Sequence, residues 1–204
     1  MYIRKLNKSE SDIDCIVNWY KQPDKSWLYC DCPKNDDYSG IERGLNYLLD
    51  MSSDDPQKVD YYLIEVDSYN IGFSIIRRSF EYFKKFNGYF SIGIDIVNSD
   101  ARGRGYGSSA LRKILLEIKK DRPGVNQIYL ETLSYNEPMK EVAERVGFQQ
   151  INRKELGEEY QKGFEEHIED ISRCLKKTPE ELKNQKVFAL LYMLDLANWP
   201  NVNF

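Results

Sequence analysis

The stretch Arg102-Gly103-Arg104-Gly105-Tyr106-Gly107 separates a predicted strand from a predicted helix. Before it, apolar residues alternate with small or polar ones in the two-residue period of a strand: Phe90, Ile92, Ile94 and Ile96. After it, apolar residues recur at i, i+3, i+4 and i+7, which indicates a helix with one buried face: Leu111, Ile114, Leu115 and Ile118. The free amides and positive dipole at the start of such a helix favour a phosphate group. The stretch therefore predicts a phosphate-binding loop.

The spacing of the glycines excludes two common phosphate-binding motifs. A P-loop needs Lys-Ser or Lys-Thr after its second glycine, and here Gly107 is followed by Ser108-Ser109. A dinucleotide fingerprint needs Gly-x-Gly-x-x-Gly, which glycines at alternate positions do not provide. What remains is Arg-x-x-Gly-x-Gly, and this pattern resembles the acetyl-coenzyme A loop of the GNAT (Gcn5-related) N-acetyltransferases.

A second segment strengthens the resemblance. Residues 127–136 read as a strand, residues 137–145 as a helix, and the helix ends at Gly147-Phe148. The distance from Asn136 to Gly147-Phe148 is similar to that of the segment that closes the GNAT core. From the residues alone, Asn136 is also a helix N-cap and Gly147 a helix C′ glycine, and these interpretations are compatible with the functional one.

The resemblance is specific over residues 88–150 and architectural elsewhere. It implies an α/β chain with the GNAT fold, in which helices flank a central mixed, mostly antiparallel sheet. It also implies that the backbone N–H of Ile96 or Val97 stabilises the oxyanion, and that the Asn136 side chain bonds pantetheine or caps its helix. The loop would bind coenzyme A through Arg102, Gly103, Arg104, Gly105, Tyr106, Gly107 and Ser108.

Two acids in apolar strands, Asp95 and Glu131, are the candidate general bases. Glu131 lies five residues before Asn136, where aminoglycoside 6′-N-acetyltransferases carry an acid, and the analogy to those enzymes also uses Trp19. The tyrosine that commonly protonates the thiolate in this family is replaced by Ala143. The general acid therefore stays unassigned, with Tyr135 or Tyr160 as possible substitutes.

The remaining segments predict further strands and helices, which complete a single domain over residues 1–204. Strands are expected near residues 2–6, 59–66, 71–78, 148–155 and 187–196, and helices at 9–21 and 40–51. Residues 24–38 form a loop rich in aromatic residues that would lie at the acceptor site or pack on the core. Residues 157–185, where the family usually has a short hairpin, predict one helix and a short second one before the last strand. This insertion could be a lid, a dimer contact or decoration.

Composition narrows the class of protein. The chain has 204 residues and a net charge of −4, so no basic patch predicts nucleic-acid binding. The longest apolar run, Val187 to Leu194, is too short to span a membrane, and the N-terminus has no signal pattern, so we expect a cytoplasmic protein. Four cysteines without repeated spacing and one histidine, His167, predict free thiols, no metal site and no triad hydrolase.

These observations predict an acetyl-coenzyme A-dependent N-acetyltransferase that acetylates a primary amine of a small cationic acceptor, aminoglycoside-like or polyamine-like. Two alternatives stay open: acetylation of protein N-termini, as in ribosomal-protein acetyltransferases, and a non-catalytic acyl-coenzyme A sensor, which Ala143 would suit. The sequence does not determine the acceptor, the acyl group if it is not acetyl, or the choice between monomer and homodimer.

Overall fold

The computed structural model describes residues 1–21, 39–50, 59–175, 177–183 and 185–200. The predicted aromatic loop of residues 24–38, with Trp27, Cys30 and Cys32, lies outside the described residues.

In the described residues, seven strands form one sheet. Its strands are β1 (Tyr2–Lys5), β2 (Asp60–Val66), β3 (Tyr69–Arg77), β4 (Ser91–Ile96), β5 (Gln127–Leu133), β6 (Gln149–Glu155) and β7 (Phe188–Asp195). The spatial order is β1-β2-β3-β4-β5-β7-β6. Neighbouring strands are antiparallel except for β4 and β5, which are parallel. The predicted mixed, mostly antiparallel sheet is therefore confirmed.

Helices lie on both faces of this sheet. They are α1 (Glu10–Tyr20), α2 (Ser39–Asp50), α3 (Tyr106–Asp121), α4 (Glu137–Val146), α5 (Glu158–Glu166), α6 (Ile168–Leu175) and α7 (Pro179–Leu182). Leu111, Ile114 and other residues of α3 form a core with α4 on one face. Residues of α1 and α2 cover β2 and β3 on the other face, and residues of α5 to α7 cover β5 and β7 there.

Ser9 caps the start of α1. The Ser9 hydroxyl accepts the Asp12 backbone N–H at 3.3 Å. The Asp12 carboxylate accepts hydrogen bonds from both terminal nitrogens of Arg4, at 2.6 and 2.8 Å, and from the Asn7 backbone N–H. This carboxylate therefore ties α1 to β1, and the Arg4 guanidinium holds its pKa below the usual value.

The insertion between β6 and β7 corrects one expectation. The longer predicted helix is divided into α5 and α6, because His167 leaves helical geometry at φ −109° and ψ 13°. The short second helix is present as α7 and begins with a capping box, in which the side chains of Thr178 and Glu181 accept each other's backbone N–H. Phe164, Ile171 and Leu182 are buried against β5 and β7, so the insertion packs on the sheet.

Candidate active site

The predicted site begins where β4 and β5 separate. The only register pair between these strands is Ser91 opposite Tyr129, supported by the Tyr129 N–H bond to the Phe90 carbonyl at 2.9 Å. Beyond that pair the two parallel strands diverge, and a wedge opens toward their carboxyl ends. Peptide groups that face such a wedge need partners from a ligand or from water.

One residue that the sequence analysis missed shapes this wedge. Gly72 on β3 lies opposite Ile96, and a Cβ at Gly72 would be 2.1 Å from the Asp95 carbonyl oxygen. The missing side chain lets the end of β4 lie close against β3. A β-bulge in the pairing of β3 with β2, next to Gly72, adds to the local bend. An isolated glycine within a strand pattern is the signal that could have found it.

The glycine loop has the geometry of an anion cradle. Gly103 and Gly105 have φ of 74° and 80°, and α3 begins directly after Gly105. Because the first helical bond runs from the Ser109 N–H to the Gly105 carbonyl, the backbone N–H groups of residues 103–108 have no backbone partner among the described residues. A Cβ at Gly103 or Gly105 would meet open space, so the requirement for glycine is conformational.

The side chains of the loop have different surroundings. The Arg102 Nε donates to the Ile96 carbonyl at 2.8 Å, so this guanidinium fastens the loop to the end of β4. Arg104 is exposed, and Tyr106 packs partly buried beside Ile96. The Ser108 hydroxyl is buried without a hydrogen-bond partner in the described part of the chain. Backbone N–H groups at the start of a helix, as at α3, suit a pyrophosphate.

The second predicted segment forms α4, which packs beside α3. Asn136 caps α4 by accepting the Met139 N–H at 3.2 Å, and Gly147 ends the helix at φ 111°. Ala143 is fully buried in the core between α4 and the sheet. The Ala143 side chain therefore points into packed side chains, which explains why a small residue is suitable there.

The middle of β4 is exposed on the face that carries α1 and α2. Gly93 is exposed although it lies in a central strand, and a Cβ there would meet nothing within 4 Å. Asp95 is half-buried and pairs with Phe73, a residue of the α1–α2 core, so its side chain shares that face. We call the surface over Gly93 and Asp95 the β4 groove.

Glu131 shares this face, and backbone N–H groups donate to its carboxylate. It lies two residues beyond Tyr129, which is buried in the cluster that α5 to α7 cover. Its Oε2 accepts the Glu81 backbone N–H at 2.8 Å, and its Oε1 accepts those of Tyr82 and Phe83, each at 3.0 Å. The structure thus places the two predicted acids on neighbouring strands and one face, with different surroundings.

Three aromatic residues considered from the sequence differ in their surroundings. Trp19 is buried and stacks on Phe73 at 5.7 Å between ring centroids, so it belongs to the core. Tyr135 is buried under the insertion, stacked on Phe164. Tyr160 is 40% exposed and contacts the Tyr82 ring edge-on. The analogy to aminoglycoside enzymes therefore loses the support of Trp19.

A separate cleft of about 420 Å³ lies on the α4 side of β6 and β7. Lys140, Arg153 and Lys186 line it, among other residues. Two of these cations are paired, Lys140 with Glu137 at 2.7 Å and Lys186 with Glu155 at 2.8 Å. The cleft opens on the opposite face of the sheet from Asp95, so these cations do not line the β4 groove.

We also considered metal ligands and thiols within the described ranges. No group of three or more His, Cys, Asp or Glu residues there could hold a metal ion. Cys15 is a free thiol whose pKa is raised mainly by burial. No helix in this part of the chain is long and apolar enough to cross a membrane.

Comparison with known proteins agrees with this geometry. The family described as "Acetyltransferase (GNAT) domain" matches residues 1–149, which is most of the chain. A search of curated proteins finds no match.

Solved structures share the fold at low sequence identity. A spermidine N-acetyltransferase from Vibrio cholerae, in complex with CoA and spermine, is 12% identical with a TM-score of 0.65; the match covers 97% of this chain and 96% of that one. A ribosomal-protein-alanine N-acetyltransferase from Brucella melitensis is 15% identical with a TM-score of 0.63, over 96% of this chain and 99% of that one. The protein yncA from Salmonella typhimurium, with its cofactor acetyl-CoA, is 13% identical with a TM-score of 0.58, over 100% and 98%. Because the family match covers the loop, the wedge and the α4 segment, this chain belongs to the GNAT family and is an N-acetyltransferase with acetyl-coenzyme A as its co-substrate.

Proposed function

We propose that this protein transfers an acetyl group directly from acetyl-coenzyme A to a primary amine of a small cationic acceptor of the polyamine type. The observation that carries the proposal is the uncovered floor of β4. Gly93 is exposed in the centre of the sheet, next to the half-buried carboxylate of Asp95. An ammonium group that enters there meets negative charge on one face of the strand while the wedge opens beside it.

The coenzyme would occupy the loop and the wedge. The backbone N–H groups from Gly103 onward suit the pyrophosphate, and the positive end of the α3 dipole favours its charge. Pantetheine has amide groups that can bond the peptide edge of β4, as an added strand would. This places the thioester within reach of the Ile96 or Val97 backbone N–H, which we propose as the oxyanion donor.

The acceptor needs to lose a proton before its nitrogen attacks the thioester carbonyl. We propose Asp95 as the general base, directly or through water, because its half-buried side chain faces the β4 groove. Glu131 was the other candidate, and its carboxylate would contribute negative charge beside the groove. The general acid for the departing thiolate stays unassigned, since Ala143 is buried in the core.

The test is release of free coenzyme A thiol with acetyl-coenzyme A and one of three amines: spermidine, kanamycin or a peptide with an N-terminal alanine. We expect the fastest turnover with spermidine. Asp95→Asn should lower kcat by about 10²- to 10⁴-fold, the range typical of a lost general base, with an unchanged KM for acetyl-coenzyme A. Asp14→Asn, at an exposed acid on α1, is the matched control and should behave as wild type.

A protein N-terminus is an alternative acceptor. The ribosomal-protein-alanine enzyme matches with a TM-score of 0.63, against 0.65 for the spermidine enzyme, so the fold does not separate these acceptors. Turnover of the alanine peptide but not of spermidine would replace the proposed acceptor with a protein N-terminus. Binding of acetyl-coenzyme A without turnover of any of the three amines would favour the sensor.

A further inference from the structure

Glu131 holds a loop that is not part of any strand or α-helix. This segment, residues 79–86, connects β3 to β4, and we call it the aromatic bridge because it contains Phe80, Tyr82, Phe83 and Phe86. Three consecutive backbone N–H groups of the bridge, those of residues 81–83, donate to the Glu131 carboxylate at 2.8 to 3.0 Å. Successive amides that converge on one anion form a compact, directional contact.

The bridge also connects Glu131 to the insertion. The ring of Tyr82 meets that of Tyr160 on α5 at 5.6 Å between centroids, and Lys154 on β6 donates to the Tyr82 carbonyl at 3.1 Å. Phe80 packs edge-on against Tyr129 at 5.8 Å. The bridge therefore covers the β5 side of the sheet together with α5 to α7, next to the uncovered floor of β4. Glu131 lies two residues after Tyr129, the register partner of Ser91, so the bridge lies on the β5 side of Gly93.

These bonds leave the carboxylate little capacity for proton transfer. A carboxylate has about four lone-pair sites, and three are used here by fixed amides. A proton on Oε1 would displace one of the two amides that it accepts. Moreover, a general base has to reach the ammonium, whereas both Glu131 oxygens point to the bridge.

We propose that Glu131 is a positioning residue, which fixes the aromatic bridge as the β5-side wall of the acceptor groove and thereby sets the affinity for the amine. The insertion then acts as the outer support of this wall through the contact of Tyr160 with Tyr82. The kinetic part of this inference rests on the proposed function, while the structural part does not.

The first test needs no acceptor. Hydrogen exchange is followed at the amides of residues 81–83 in the full-length protein with acetyl-coenzyme A bound. Glu131→Ala should raise their exchange rates at least about tenfold, because each N–H loses its acceptor. Glu65→Ala is the matched control: this acid on β2 is also partly exposed, bonds Arg4, and should leave exchange in the bridge unchanged. Unchanged exchange in Glu131→Ala would overturn the inference.

The second test separates positioning from base catalysis, with spermidine as the acceptor. Glu131→Gln keeps Oε1 as the acceptor for Tyr82 and Phe83, whereas its Nε2 is a donor and cannot accept the Glu81 N–H. It should therefore retain kcat within about tenfold and the acid limb of the kcat/KM pH profile, whereas Glu131→Ala should raise the spermidine KM at least about tenfold. If Glu131→Gln is as inactive as Glu131→Ala and lacks the acid limb, Glu131 is the base and the inference is wrong. Absence of spermidine turnover in the wild type would count against the proposed acceptor, and the exchange experiment would still decide the role of Glu131.

Discussion

Replacement of Gly72 by alanine tests whether the close approach of β4 to β3 shapes the site. The added Cβ would lie 2.1 Å from the Asp95 carbonyl oxygen and 3.0 Å from the Ile96 Cα. Both are backbone atoms of a paired strand, so no side-chain rotation relieves the clash. The carbonyl has to retreat by about 0.9 Å to reach 3.0 Å, which is itself tighter than most real contacts.

We expect this overpacking to lower the free energy of unfolding by about 1–3 kcal/mol. The displaced backbone belongs to the proposed base and lies beside the proposed oxyanion donor, and a shift of about 1 Å in such groups can cost about 10² in rate. Turnover with spermidine should therefore fall by about 10²-fold, more than the loss of folded protein explains.

Urea unfolding gives the stability, and coenzyme A thiol release gives the rate. Gly93→Ala is the control for unfolding, because it changes a glycine of the neighbouring strand where a Cβ meets nothing within 4 Å. Its free energy of unfolding should stay within about 0.5 kcal/mol of wild type. If Gly72→Ala is as stable and as active as wild type, the close approach does not shape the site and the reasoning is refuted.

Three further substitutions test the glycine loop, the contact of Asp12 with Arg4, and the core around Ala143. Gly105→Val places a branched residue at φ 80°, so the affinity for coenzyme A measured by calorimetry should fall about tenfold or more, while Gly124→Val, at a glycine with open space, should bind as wild type. Equal affinities would contradict the loop assignment. Asp12→Asn should cost about 1.5–3 kcal/mol at pH 7 in urea unfolding, because it removes a carboxylate bonded to Arg4. Since the pKa of Asp12 is lowered in the folded state, its contribution is present above the unfolded pKa of about 3.9 and is lost as the pH falls through the folded value. The difference between the variant and wild type should therefore shrink below about pH 4, and a constant difference would contradict this role. Ala143→Tyr should lower the melting temperature without accelerating turnover, because the fully buried site has no room for a phenol; a stable and faster variant would show that a general acid can act there.

The elements with a regular pattern were predictable. The helix after the glycine loop and the alternation of β4 are properties of neighbouring residues, because each is set by a periodicity of the chain itself. The N-cap at Asn136 and the C′ glycine at Gly147 are equally local, and the structure confirms both. The break of the insertion at His167 was missed because no proline or capping motif marks it.

The roles of single side chains in the site were harder to predict. Asp95 and Glu131 look alike in the sequence, since each is an acid in an apolar strand. The contacts of Glu131 come from a segment about fifty residues earlier, which folds over β5 to meet it. Trp19 resembled a binding residue on an amphipathic helix, and its burial against Phe73 follows from how α1 packs on β3.

By itself, the sequence determined the order of strands and helices, the glycine loop before α3 and the family, because each depends on residues close together in the chain. Only the tertiary structure decided that β4 leaves β5 after one pair, that Gly72 admits the Asp95 carbonyl, and that the Glu131 carboxylate binds the aromatic bridge. These features arise from contacts between segments distant in sequence. Such contacts depend on the shape and packing of the whole sheet, which no local periodicity encodes.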